Sequence, residues 1–181
     1  MKAAWIAILL LGSRPAVGSS LGDIAVVTRD LGQGRVFARA SCTLAAPPAD
    51  VFALLADFDH VADYVTAVDS SHVVGADSAA VLVRQVATSG FVFAYTVRMT
   101  LRFRLAPPTM LRFEIVQGDF PIYFGDWTCA ALGEQTRLTY TVTCKPPEFV
   151  PRPLVRHVME RDLRALMPEI AAELARRRLP R

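Results

Sequence analysis

The sequence predicts an α+β fold: an antiparallel sheet of six or seven strands with one covered face, two short helices after the first strand, and a long C-terminal helix. Three observations point there. From Phe91 to Arg104, Phe93, Tyr95, Val97, Met99, Leu101 and Phe103 alternate with Ala94, Thr96, Arg98, Thr100, Arg102 and Arg104, the period of a strand with one dry and one wet face. Leu132 to Gln135 separates two further strand-like runs and closes them as a hairpin. Beyond Pro153, Val155, Val158, Met159, Leu166, Ile170 and Leu174 recur at helical spacing, with arginines on the other side.

The elements follow in order. Residues 1–18 read as a secretory signal peptide, with Lys2 as its positive start, Ala3 to Leu11 as its apolar run and Ala16-Val17-Gly18 as its cleavage site. That run is too short to span a bilayer as a helix. An exported chain, periplasmic or secreted, with its mature N-terminus near Ser19, is the expectation, with an uncleaved membrane anchor or a buried N-terminal strand as the alternatives. Residues 19–34 read as a surface lead-in, because Gly22, Gly32 and Gly34 interrupt regular structure. Residues 35–178 form one domain, a length that can bury a single substantial core.

Within that domain Arg35 to Leu44 is the first strand. Pro48 then opens a short helix whose Val51, Phe52, Leu54 and Leu55 make one apolar face. A second helical turn spans Asp59 to Tyr64, and strands follow near Val68 to Val74 and Ala79 to Thr88. Ala106 to Thr109 turns the chain, Leu111, Phe113 and Ile115 face inward against Arg112 and Glu114, and Gly118 to Pro121 turns it again. Pro168 removes a backbone donor inside the last helix, where a kink or break is expected.

Turn positions set the register. Counting outward from Leu132 to Gln135 places Cys129 opposite Leu138 and Trp127 opposite Tyr140, and the same count across Gly118 to Pro121 places Phe113 near Trp127. An aromatic row of Phe113, Trp127 and Tyr140, with Leu101 or Phe103 beside it, should cross the covered face. Asp126 points away from that face by alternation.

Composition narrows the function. The 181 residues hold 20 basic and 17 acidic side chains; without Lys2 and Arg14 the formal charge falls from +3 to +1. That balance, with arginines spread over strands and the last helix, argues against nucleic acid as a main partner. His60, His72 and His157 are scattered without metal-ligand spacing. There is no nucleophile elbow, phosphate-binding glycine loop or dinucleotide fingerprint, so no catalytic residue, metal or cofactor is assigned. Asp57, Asp59 and Asp63 read as helix caps and turn formers rather than an acid and base pair. Arg176, Arg177, Arg178 and Arg181 read as a fraying basic tail that complements the helix dipole, with weak membrane-surface contact as its further role.

Two stretches together resemble a known family. The first is Leu44-Ala45-Ala46-Pro47-Pro48 through Asp57-Phe58-Asp59. The second is Gly125-Asp126-Trp127, Gly133, Thr136 to Tyr140, and prolines 146, 147, 151 and 153 before the last helix. In this order they resemble the START-like superfamily, which includes polyketide cyclases and dehydrases and coenzyme Q-binding COQ10 START domains. The resemblance runs from about Arg35 to Arg178. It implies a helix-grip fold, with a strongly curved sheet wrapped around the last helix and a cavity between them.

It also implies a lipophilic ligand such as a quinone, a lipid or a polyketide-like compound. Gln85, Tyr95, Phe113, Trp127, Tyr140 and Met159 are the residues expected to line the cavity, their phenol, indole and amide groups orienting a carbonyl or hydroxyl. The same aromatics at strand spacing also suit a filled core, and Gln85 suits a wet strand edge, so pocket and packed core stay open. Non-catalytic binding or carriage is the expected function. The alternatives are a polyketide cyclase or aromatase-type enzyme, which lacks a nameable inward acid and base pair, and an interaction module with a packed core.

The resemblance further places the first strand beside the last, antiparallel to it. Cys42 and Cys144 then fall at opposite ends, and a strand separates Cys42 from Cys129, roughly 9 to 10 Å at about 4.8 Å per strand, beyond the roughly 7 Å limit for a disulfide. No disulfide is expected.

Overall fold

The computed structural model describes residues 21–89, 95–146 and 152–179, with only the backbone at Ser89, Tyr95 and Arg152. The segment read as a signal peptide, Phe91, Phe93 and Arg181 lie outside the described residues. The elements are β1 (Ala25–Gly32), β2 (Arg35–Leu44), α1 (Pro48–Leu55), a 3-10 helix (Phe58–Asp63), β3 (Val68–Ala76), β4 (Val81–Ser89), β5 (Tyr95–Ala106), β6 (Met110–Gly118), β7 (Ile122–Leu132), β8 (Gln135–Lys145) and α2 (Arg152–Arg177). The strands form one antiparallel sheet in the order β1-β2-β8-β7-β6-β5-β4-β3. This is the expected α+β helix-grip arrangement, with eight strands in place of six or seven.

The added strand is β1, which occupies the segment expected to be a lead-in. Val26 and Thr28 turn inward opposite Ala40 and Ala38 of β2, while Val27 and Arg29 point to solvent. Gly32, Gln33 and Gly34 have φ of 76°, 52° and 77°, and Asp30 accepts a 2.7 Å hydrogen bond from the Gly32 N–H. The glycines therefore fold the chain into a hairpin rather than preventing a strand, since residues without Cβ tolerate these dihedrals.

β2 has the boundaries its sequence pattern sets. Its inward residues Val36, Ala38, Ala40, Cys42 and Leu44 are fully buried. The small side chains of Ala38 and Ala40 leave room for α2, which packs mainly on β2 and β1. Pro48 sits in the first turn of α1, and Val51, Phe52, Leu54 and Leu55 are buried, each contributing about 1.5 to 3 kcal/mol by removal from water. The buried Thr136 hydroxyl donates to the Ala46 carbonyl at 2.7 Å and fixes the β2–α1 connection onto β8.

Two acidic residues expected as caps serve as tethers instead. Asp57 makes no cap bond; its carboxylate pairs with His60 Nδ1 at 2.6 Å and with Arg177 of α2 at 2.7 Å. Asp59 accepts the Val73 N–H at 2.8 Å, joining the 3-10 helix to β3.

α2 runs through Pro168 without the expected break. Pro168 is on the exposed side, where solvent can take the carbonyl its missing N–H leaves open. The buried stripe therefore continues as Val155, Leu163, Met167, Ile170, Ala171 and Leu174, with Met167 more deeply buried than the expected Leu166. Two sulfur contacts seat the helix: Cys42 Sγ to Met167 Sδ at 3.6 Å and Cys144 Sγ to Met159 Sδ at 3.8 Å. At its end Glu173, only 7% exposed, accepts hydrogen bonds from Arg176 at 2.6 Å and Arg177 at 2.7 Å. Arg178 donates to the Ala45 carbonyl at 2.5 Å. The arginines read as a fraying tail are thus tied down as far as Arg178.

The β7–β8 hairpin has the expected register, with Trp127 opposite Tyr140 and Cys129 opposite Leu138. β6 and β7 pair two residues away from the expected register: Phe113 faces Gly125, and Leu111 faces Trp127. The count failed there because it centred the reversal too late; the paired residues are symmetric about Asp119, next to Gly118 with its φ of 152°.

Two predictions come from this packing. β8 lies between Cys42 and Cys129, each opposite Leu138, and all three cysteines are buried as free thiols. Burial raises Cys42 and Cys129 to about 11 and Cys144 to about 12. Thiol titration of unfolded, unreduced protein should count three, with slow alkylation in the native state; a count of one would overturn the register. The second concerns acid. The Arg176 hydrogen bond holds the Glu173 carboxyl down to about 2, against the opposing effect of burial and with help from Arg177. Burial would raise Asp57, but its bonds from His60 and Arg177 outweigh it and lower it. Stability from a depressed carboxyl is present above its ordinary value and lost as pH falls toward the folded value. The denaturation midpoint should therefore fall as pH drops from about 5 toward 2, and Glu173→Gln should lose stability at neutral pH and flatten this slope. An unchanged slope in the variant would refute the assignment.

Candidate functional site

The concave face of the sheet holds a continuous aromatic belt. Phe58 and Phe103 lie 4.5 Å apart between ring centroids, Phe103 and Phe113 5.8 Å, and Phe113 stacks on Tyr140 at 5.7 Å and 15°. Trp127 closes on Tyr140 at 4.3 Å. A branch runs from Phe113 to Tyr123 at 5.6 Å and on to Phe120 at 5.5 Å. Such tilted and offset pairs add to the area they bury.

Gly125 makes this geometry possible. It stands on β7 between Phe113 of β6 and Val142 of β8. A Cβ built on it would collide with the Thr141 carbonyl oxygen and lie 2.8 Å from the Phe113 ring. Without a side chain there, the Phe113 ring reaches across β7 to Tyr140.

The tyrosines supply the polar groups of the belt. Tyr123 and Tyr140 share a hydrogen bond at 3.1 Å between their hydroxyls. Burial pushes the Tyr123 phenol up to about 12 and Tyr140 well above its ordinary value, with the neighbouring phenol adding to the second shift. Both are protonated at neutral pH. Their mutual bond uses one of two phenolic protons, and the other has no acceptor among the described residues. A ligand carbonyl or hydroxyl could take it.

Of the residues expected at the site, Phe113, Trp127 and Tyr140 come together, with Phe113 reaching Tyr140 over Gly125 rather than facing Trp127. Met159 joins from α2 through Cys144, in the same cluster as Tyr123 and Phe120. Gln85 lies apart on β4, inward but bonded to the buried Ser71 hydroxyl at 3.1 Å. The side chain of Tyr95 lies outside the described residues. Tyr123 is a site residue the sequence reading omits, although it shares strand and parity with Trp127 on β7. Phe58 and Phe120 sit in a 3-10 helix and a turn, where no periodicity announces them.

Exposure divides the concave face. The inward residues of β2 under α2 are fully buried, and so nearly are Val83, Leu101, Phe103, Leu111 and Phe113 on β4 to β6, whereas Ile115 of β6, Tyr123 and Trp127 of β7, Phe120 and Met159 of α2 are only half-buried. The apolar surface still reachable therefore gathers around β7 and the N-terminal half of α2. Among the described residues no group of three or more histidines, cysteines or carboxylates is arranged to hold a metal.

No curated protein sequence matches the chain. Its structure is similar to that of TTHA0849 from Thermus thermophilus, with 26% identity and a TM-score of 0.70 over 78% of this chain and 98% of that one. It is similar to the Zhui aromatase/cyclase from Streptomyces sp. R1128, with 19% identity and a TM-score of 0.67 over 86% and 96%. It is also similar to a STAR-related lipid transfer protein from Xanthomonas axonopodis, with 17% identity and a TM-score of 0.70 over 86% and 98%. In sequence, the family described as "Polyketide cyclase / dehydrase and lipid transport" matches residues 36–175, from β2 into the last turn of α2. The chain belongs to this polyketide cyclase/dehydrase and lipid transport family of START-like proteins.

Proposed function

We propose that the chain binds and carries a lipophilic small molecule, of the quinone, lipid or polyketide-like class, between its sheet and α2 without transforming it. The observation that supports this most is the half-buried aromatic surface of β7, set beside a phenolic proton that has no acceptor among the described residues. Apolar ligand surface placed there gains roughly 25 cal/mol per Å² removed from water, and one oxygen on the ligand gains a hydrogen bond. The ionisable groups of this region, Tyr123, Tyr140 and the three thiols, are all shifted upward by burial. They hold protons at neutral pH, which favours orientation over proton transfer. A cyclase or aromatase would draw its acid and base from elsewhere in the cavity.

We also propose export. Ala3 to Leu11 followed by Ala16-Val17-Gly18 supports it.

Trp127→Ala should abolish binding of a fluorescent quinone or lipid analogue. Truncating a fully buried Trp costs about 3 to 5 kcal/mol, so the double variant Tyr123→Phe with Tyr140→Phe, which keeps both rings and removes both phenolic protons, guards against simple unfolding. It should weaken binding about fivefold to tenfold with its melting temperature little changed. Wild-type affinity in both folded variants would defeat the reading, as would turnover of a polyketide-like substrate by the purified chain. Terminal sequencing of protein from the cell envelope should begin near Ser19; intact Met1 in a cytosolic fraction would exclude export.

A further inference from the structure

The outer face of the sheet is cationic, and pairing across the strands shows how far this extends. One row crosses from Val27 through Arg39, Thr141, Asp126 and Arg112 to Arg104; the next runs from Arg29 through Phe37, Thr143, Phe124 and Glu114 to Arg102. Cross-strand partners share a face, so every member of both rows points away from α2. Arg84 and Arg98 extend the face over β4 and β5, and Arg137 and Lys145 stand at the two ends of β8.

Few of these charges are neutralised. Glu114 takes Arg104 at 3.0 Å and Arg102 at 3.3 Å. Arg29, Arg39, Arg84, Arg98, Arg112 and Arg137 have no carboxylate partner among the described residues. Apolar groups stand among them: Phe124 is 49% exposed, Val116 48% and Val27 44%. A groove of about 440 Å³ lies at the centre, lined by Phe37 and Phe124, by Arg104 and Arg112, and by the two carboxylates Glu114 and Asp126.

We propose that this outer face docks on an anionic phospholipid surface. The cations are spread in two dimensions over the strands from β1 to β4, about 30 Å at the usual strand spacing, instead of forming the single stripe or pocket that a peptide or a phosphate group would need. Exposed valine and phenylalanine side chains between arginines suit the headgroup boundary, where apolar tips enter and guanidinium groups meet phosphates. The arginines at the end of α2 are already engaged with Glu173, Asp57 and Asp50, so the sheet, not the tail, makes the contact. This inference does not depend on what fills the cavity.

The test is flotation of the full-length chain with vesicles of phosphatidylcholine alone and of phosphatidylcholine with phosphatidylglycerol. Binding to the neutral vesicles reports any contribution of the apolar run Ala3 to Leu11. The chain should float with the anionic vesicles and be released by salt. The double variant Arg39→Gln with Arg112→Gln should partition about twenty-five-fold more weakly, at about fivefold per cation, with an unchanged melting temperature. Arg178→Gln should partition as wild type. Failure of the wild type to float, a loss confined to Arg178→Gln, or equal salt-sensitive binding to heparin lost in the same double variant would each overturn the proposal, the last by making the face a general polyanion site.

Discussion

The missing side chain at Gly125 is the constraint on which the concave face depends. A strand is one residue thick, so a ring on β6 reaches β8 only if β7 yields its space at the crossing. Gly125 yields it, and Phe113 stacks on Tyr140 above it. That stack sets Tyr140 where its hydroxyl meets the Tyr123 hydroxyl from the neighbouring strand. Glycine inside a strand is weakening by itself, for want of a side chain to pack and for its backbone entropy. Here the aromatic contacts it admits offset that cost, and they gather the polar groups of the site into one place.

α2 is held by unequal forces. The apolar stripe from Val155 to Leu174 supplies most of the attraction, because each buried side chain is worth several times an exposed ion pair. Ion pairs at the C-terminal end mainly fix position. Glu173 is nearly buried near a helix end that disfavours negative charge, and it is tolerated because Arg176 and Arg177 both bond to it. Arg177 also reaches Asp57 at the start of the 3-10 helix, so the corner after α1 and the end of α2 move together or not at all. The half-buried aromatic surface lies away from these anchors, around β7 and the N-terminal half of α2, where Tyr123 and Phe120 cluster with Met159.

What the sequence showed and what it hid divide along physical lines. β2, α1 and the β7–β8 register were legible because local turns and period-two alternation specify them without reference to the rest of the chain. β1 was hidden because its glycines read as interruptions, when their positive φ values make a hairpin. The meeting of Phe113 with Tyr140 was only half legible: the aromatic row could be expected, but its route over Gly125 depends on a β6–β7 register that the turn around Gly118 leaves ambiguous. The expected break at Pro168 does not occur, since a helix supported on its buried side tolerates one lost bond on its wet side. The cation surface was hidden most completely. Arginines on alternate positions of single strands look like ordinary solvated residues, and only the strand order shows that they share a face.

That last point ties the two faces together. A formal charge of +3 over 181 residues suggests an unremarkable electrostatic character, yet it averages an outer face rich in unpaired arginine against acidic residues in turns and in the corner that holds Asp50, Asp57, Asp59 and Asp63. Alternation within β5, β6 and β8 sends Leu101, Phe113 and Tyr140 to one side and Arg102, Arg112 and Arg137 to the other. A slip of one residue in any of these strands would place arginine in the aromatic belt and phenylalanine in water, at several kcal/mol for each unpaired buried charge. The register that keeps the concave face apolar is thus the same register that concentrates positive charge outside. A substitution shifting one strand would be felt on both faces, whereas a side-chain exchange on the outer face leaves the belt intact.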